Sequence, residues 1–265
     1  MTLSQTARTP LRVFVVYILP PAVALAVALA CWEFWVAWRD ISIIVVPRPS
    51  DVVDRFFQDP EFFWREGAYT LYEATLGLLL GSAFAIGLAV MMAHSRLAER
   101  TFFPLAIIIK VTPLVAVAPV LVILLGFGTT PKIVVAALLC FFPALVNAMT
   151  GFRDVNPGAL QFLRSLHASP WQVFWKLRVP SAMPYLFAAL RVTYPLALIG
   201  AVVAEWFTGD RGLGLVIFVA NYNLDTPTLF AAIGVLAIIG VTLNILLSLL
   251  ERRVLFWHES VRSTQ

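Results

Sequence analysis

The stretch Arg164–Leu186, RSLHASPWQVFWKLRVPSAMPYL, lies between two long apolar runs and resembles neither. It carries three basic side chains (Arg164, Lys176 and Arg178), no acid, three prolines and two tryptophans. Read locally, it belongs to a pair of short helices. Asn156 can cap the first, with Pro157 in its opening turn, and Ser169 with Pro170 repeats that start for the second. The second is expected to end before Pro180, whose ring clashes with a helix running through it. Leu160, Leu163 and Leu166 fall on one side of the first helix. Neither helix is long enough to span a bilayer. On this physics alone two readings stay open. One is an amphipathic helix lying among lipid headgroups; the other is a docking site for a cytoplasmic partner.

The rest of the chain is unlike a soluble protein. Sixty percent of its residues are apolar, 13% are charged, and the mean hydropathy is +0.87. A soluble domain carries about 25% charged residues, so the composition points to a multi-span membrane protein. Cys31 and Cys140 both lie inside apolar runs, which argues against a disulfide framework. The net charge of +4 is explained by orientation in a membrane rather than by nucleic acid.

A helix needs about 20 apolar residues to cross the hydrocarbon core. Six stretches qualify, at about 13–36, 68–92, 104–126, 132–150, 184–207 and 228–250, leaving 151–183 as a loop within one all-α domain. The first is too long for the apolar region of a signal peptide, and Trp32, Trp35 and Trp38 suit an interfacial belt, so it is expected to be retained. Six spans put both termini on one side. With the N-terminus inside, the inner segments hold Arg8, Arg12, Arg96, Arg100, Arg153, Arg164, Lys176, Arg178, Arg252, Arg253 and Arg262. The outer segments hold Arg39, Arg48, Arg55, Arg65, Lys132 and Arg211, outnumbered there by acids such as Asp51, Asp54, Glu66 and Asp210. The positive-inside rule therefore predicts cytoplasmic termini and a cytoplasmic loop 151–183.

Within the spans, Gly77, Gly81 and Gly87 in GLLLGSAFAIG are spaced for close helix contact, read as packing inside one subunit rather than as a dimer seam. Lys110, Glu73, Arg191 and Glu205 lie in or near span ends. Each either lines a translocation path or snorkels to water. Pro113 and Pro119 are expected to break the third span and Pro195 the fifth, which is tolerable against protein or a water-filled cavity. His94, His167 and His258 are scattered at cytoplasmic ends, and neither H-E-x-x-H nor G-x-S-x-G occurs, so no catalytic, metal or cofactor site is expected.

The loop resembles the cytoplasmic loop of bacterial ABC-importer permeases, whose signature is Glu-Ala-Ala, three residues, Gly, nine residues, then Ile-x-Leu-Pro. The matching positions are Gln161-Phe162-Leu163, then His167, then Leu177-Arg178-Val179-Pro180. Only Pro180 matches strictly, and His167 stands where the family has glycine. The wider text RSLHASPWQVFWKLRVPSAMPYLFAALR (164–191) is similar to the nitrate, sulfonate, taurine and pyrimidine-precursor branch. Further blocks agree: VPRPSDV (46–52), TPLVAVAPVLVILLGFG (112–128), FFPALVNAMTGF (141–152), DRGLGLVIFVANYNLDTPTLFAA (210–232) and LLERRVLFW (249–257).

The resemblance implies a six-helix type I (MetI-like) permease fold in the bacterial plasma membrane. It implies three partners: a cytoplasmic ABC ATPase dimer, an extracytoplasmic binding protein and a second permease copy forming a homodimer. The energy source is expected on the separate ATPase, since no G-x-x-x-x-G-K-[ST] occurs here and the chain itself is not expected to be an enzyme. The ATPase-coupling contact would fall on Gln161, Phe162, Leu163, Arg164, Ser165, Leu166, His167, Ala168, Ser169 and Pro180. NLDTPTLFAA and TPLVAVAP look more like members that take up riboflavin, hydroxymethylpyrimidine or thiamine precursors. Sulfonate, taurine or nitrate is the alternative, although those members usually have Asp in the last span where this chain has Asn244. An ATP-independent carrier or channel is the rival class, favoured by transport without any ATPase.

Overall fold

A computed structural model describes residues 19–255. The expectations placed on Arg8, Arg12, residues 13–18 of the first span, His258, Arg262 and the last residues of LLERRVLFW lie outside them. The chain forms α1 (Leu19–Trp38), α2 (Pro49–Gln58), α3 (Pro60–His94), α4 (Arg96–Val111) and α5 (Leu114–Leu125). It continues through α6 (Thr129–Arg153), α7 (Pro157–Ser165), α8 (Pro170–Val173), α9 (Val179–Thr208), α10 (Leu213–Tyr222) and α11 (Thr226–Val254). Five helices among the described residues are long and apolar enough to cross a membrane, and the count is six if the bent pair α4–α5 is taken as one broken span rather than a re-entrant loop.

The bend in that pair is 98°. Its cause is local: Thr112 precedes proline and takes an extended conformation, φ −71° and ψ 126°, which ends α4. The expected break at Pro113 is therefore present. Pro119 and Pro195 do not break their helices, which run on through both positions. An interior proline costs one backbone hydrogen bond, a loss both helices carry without ending.

The centre of the bundle is α3, α6 and α9. Lipid tails are as apolar as leucine, so close backbone approach rather than hydrophobic burial selects this contact. A side chain at Gly81 would stand 2.9 Å from the Ala137 Cα, and one at Gly200 would stand 2.7 Å from the Ala136 Cα. Gly77 meets the same turn of α6, whereas Gly87 has open space around it. The glycine series thus packs within one subunit at two of its three positions. One apolar cluster (Ala89, Met92, Leu145, Phe152, Phe174) fills the end of the bundle that carries residues 154–178. A second (Phe63, Leu213, Val235, Ile239) fills the far end. Helix α1 lies outside this centre, with only Val36 buried, and is tied to α2 where Glu33 accepts hydrogen bonds from Ser50 N and Oγ at 3.1 and 2.8 Å.

Candidate functional site

The loop between α6 and α9 is built as two capped turns. Asn156 Oδ1 accepts from the Gly158 and Ala159 amides at 2.8 and 3.2 Å, which starts α7. Ser169 Oγ accepts from Gln172 N at 3.3 Å while Gln172 Oε1 accepts from Ser169 N at 2.8 Å, a reciprocal capping box that starts α8. Helix α7 ends in a Schellman motif: the Ala168 amide donates to Leu163 O at 3.1 Å and the His167 amide to Arg164 O at 3.0 Å. That motif needs a left-handed residue, and His167 supplies it with φ 56°. The family glycine falls on the one position of the loop where glycine is the unstrained choice.

The second helix does not stop before Pro180. After α8 the backbone widens into a π turn, Phe174–Arg178, and continues directly as α9 with Pro180 in its first turn. Pro180 has no N–H to donate, and it falls where the ladder has widened to π spacing, the preceding Val179 amide donating to Phe174 O. The second half of this loop and the span are consequently one continuous helical piece from Pro170 to Thr208.

On the outer side of this loop Phe162, Leu166, Trp171 and Trp175 are each more than half exposed, with Gln161, Arg164, Ser165, His167 and Ser169 also exposed among them. Leu163 and Ala168 are half-buried beneath. The Leu160, Leu163 and Leu166 row is therefore split, with Leu166 pointing away from the bundle. The loop is braced from behind. Phe174 packs its ring 5.7 Å from Phe152 and 5.5 Å from the His94 imidazole. Arg153 grips Glu99 with two hydrogen bonds of 2.9 and 2.7 Å, and Tyr185 donates to Asp154.

A second constellation sits at the far end. Lys132 on α6 is fully buried, with Nζ 3.0 Å from Glu73 Oε1 on α3, 3.0 Å from Arg211 O and 2.6 Å from Asp210 Oδ1. Burial by itself would raise the Asp210 carboxyl, but the hydrogen bond and charge of Lys132 hold it below the ordinary carboxylate range. Beside it the buried Glu205 on α9 accepts from Thr70 Oγ1 at 2.7 Å and from the Gly214 amide at 2.5 Å. The Leu213 amide donates to Thr70 Oγ1 and the Gly212 amide to Glu66 Oε2, both at 2.8 Å. Gly212 adopts φ 108°, and the amides from Gly212 to Gly214 meet the Glu66 carboxylate, the Thr70 hydroxyl and the Glu205 carboxylate in turn. Glu73 and Glu205 thus neither snorkel nor face an open path; they tie α3, α6 and α9 to the DRGLGL loop. Sequence reading placed Lys132 and Glu66 among ordinary outer charges and passed over Thr70. A lysine opening an apolar span, with two acids inside others, was the available signal.

The two intramembrane cations left are differently placed. Arg191 on α9 pairs with Glu251 on α11 at 2.5 Å. Lys110, in the last turn of α4, is exposed and rests its ammonium 4.7 Å from the centre of the Phe142 ring. Asn244 is exposed on α11. No cluster of three or more His, Cys, Asp or Glu residues suited to a metal ion occurs among the described residues.

Five long apolar helices and the bent pair α4–α5 around a glycine-packed centre, with one aromatic and basic loop outside the bundle, are the architecture of a multi-pass membrane protein. Residues 77–256 match the family of inner membrane components of binding-protein-dependent transport systems, and the chain belongs to that family. It is 34% identical over 240 residues to the riboflavin transport system permease protein of Chloroflexus aurantiacus, covering 90% of each chain. It is 32% identical over 216 residues to the formylaminopyrimidine transport permease protein of Halalkalibacterium halodurans, covering 81% of this chain and 86% of the relative. Identity to the taurine transport system permease protein of Escherichia coli is 30% over 245 residues, covering 90% and 89%. The fold is that of a chain of the MetNI methionine ABC transporter in its inward-facing conformations, with a TM-score of 0.66 at 17% identity over 74% of this chain and 98% of that one.

Proposed function

We propose that this chain is the permease subunit of an ATP-driven importer, with residues 159–179 and Pro180 forming its contact with a separate ATPase. The observation that carries this reading is the exposed set Phe162, Leu166, Trp171 and Trp175 around Arg164, of which Trp171 and Trp175 lie on the segment continuous with α9. A push on that surface is transmitted along a rigid helix into the bundle, the kind of rigid-body shift that alternating access requires. The loop then lies in the cytoplasm with both termini, in a bacterial inner membrane. A binding protein delivers solute to the far end, around residues 39–67 and 207–229. One chain offers one such loop, so two copies facing two ATPases make a homodimer, the commonest closed arrangement.

The solute class we put forward is a vitamin or heterocyclic precursor, such as riboflavin, hydroxymethylpyrimidine or a thiamine precursor. It draws on the riboflavin and formylaminopyrimidine permeases among the relatives and on Asn244 in the last span. The taurine relative favours a sulfonate as the alternative.

The test is Arg164→Glu in the complex. An acid set against a docking surface costs a few kcal/mol. The variant is expected to insert and dimerise normally, to lose the ATPase during purification and to lose uptake. Full ATPase occupancy with full transport removes the loop from the coupling role. Altered lipid attachment with the ATPase retained favours the membrane-surface reading.

A further inference from the structure

Lys110 stands out because every feature around it makes a cation hard to keep there without a purpose. Its ammonium lies over Phe142, which is near the middle of α6 between Thr129 and Arg153. At about 1.5 Å per residue that is roughly 16 to 20 Å from either end of the helix, beyond the reach of a snorkelling side chain. The other intramembrane cations have acids: Lys132 has Glu73 and Asp210, and Arg191 has Glu251. Lys110 has no carboxylate within 4.0 Å among the described residues, and it is exposed on the single subunit. An unpaired cation at this depth is expensive against hydrocarbon and is kept where it faces water or a polar cavity. The break at Thr112–Pro113 immediately follows it, and non-helical backbone at membrane depth is likewise tolerated only against protein or a water-filled cavity.

We infer that Lys110 lines the translocation path and contacts the passing solute through an oxygen acceptor, either an oxyanion or a carbonyl. This rests on the permease reading. A lysine ammonium offers three donors and no acceptor, so it recognises oxyanions and carbonyl edges and repels cations. The carboxylates on the spans are already engaged elsewhere. Glu73 and Glu205 are closed into the far-end network, and Glu251 is held by Arg191. A cavity of one sign concentrates ions of the other by about tenfold or more. The path therefore accepts anionic or neutral, carbonyl-rich solutes and rejects cationic ones.

The experiment uses the full permease–ATPase complex with its binding protein in proteoliposomes, in a background with Cys31→Ser and Cys140→Ala. Lys110→Cys is expected to react with both methanethiosulfonate ethylsulfonate and its trimethylammonium counterpart, which do not enter lipid. With Lys110 present, Thr112→Cys should react faster with the anionic reagent, and Lys110→Met should lower that preference by about tenfold. Uptake of riboflavin, formylaminopyrimidine and taurine is then compared in Lys110→Met and Lys110→Arg. Arg is expected to retain transport and Met to lose at least about tenfold. Loss of taurine uptake assigns the acceptor to a sulfonate oxyanion, and loss of riboflavin or formylaminopyrimidine uptake assigns it to a carbonyl. Silence of the Lys110→Cys variant toward both reagents, an unchanged reagent preference, or wild-type uptake by Lys110→Met overturns the inference. A wild-type complex that carries none of the three solutes counts against the solute classes put forward, while the reagent preference still decides the role of Lys110.

Discussion

His167 holds a left-handed backbone conformation, φ 56°, at the C-terminal end of α7. For a residue with a Cβ that conformation costs roughly 1–2 kcal/mol. Glycine would remove the strain but brings its own entropy cost from the unfolded chain. His167→Gly is therefore expected to stabilise the loop by up to about 1 kcal/mol. It should read out as slower limited proteolysis between residues 154 and 178, with ATPase retention unchanged or improved. His167→Ala keeps the Cβ and should give no such protection. If Ala protects as well as Gly, the imidazole itself is the unfavourable group and the backbone is not.

At the scale of elements, the far-end network decides which helices move together. Lys132 is the charge shared by α3, α6 and the DRGLGL loop, while Glu205 and Thr70 join α9 to the same loop. Removing one partner of a buried pair leaves the others charged and unpaired, at about 3–5 kcal/mol. Lys132→Met should lower the thermal unfolding temperature in detergent sharply and make the 209–214 loop accessible to protease. Replacing Arg65, whose side chain is mostly exposed beside Glu66, should do neither, since exposed pairs contribute about 0–1 kcal/mol. Equal effects from the two variants would mean that the network is not the clasp described.

For the whole molecule the governing expectation is sidedness. Ser169 is exposed at the end bearing the 154–178 loop, and Asn223 is exposed between α10 and α11 at the other. Cysteines placed at these two positions should label from opposite sides of the membrane in intact cells, only Asn223→Cys being reachable from outside. Labelling of both from outside overturns the topology. The homodimer is the second molecule-scale expectation. Gly87, the one glycine of its series with space around it, is open to contact with a second copy.

The sequence by itself determined the capped starts of α7 and α8, the long apolar runs and the all-helical membrane fold class. Those follow from runs of apolar residues and from short-range rules in which Asn156, Ser169 and the prolines act on their own neighbours. It also carried the family signature, and with it the glycine position that His167 fills. Only the tertiary structure decided which charges meet. Lys132 lies 59 residues from Glu73, and Thr70 lies 135 from Glu205, separations that no local pattern encodes. The prolines show the same division. Pro113 follows a helix that ends because Thr112 is forced out of the helical region locally, whereas the helices run on through Pro119 and Pro195, which no local rule distinguishes. Lys110 shows it too: its charge was plain in the sequence, but only its seat on Phe142 fixed its depth and left it without an acid.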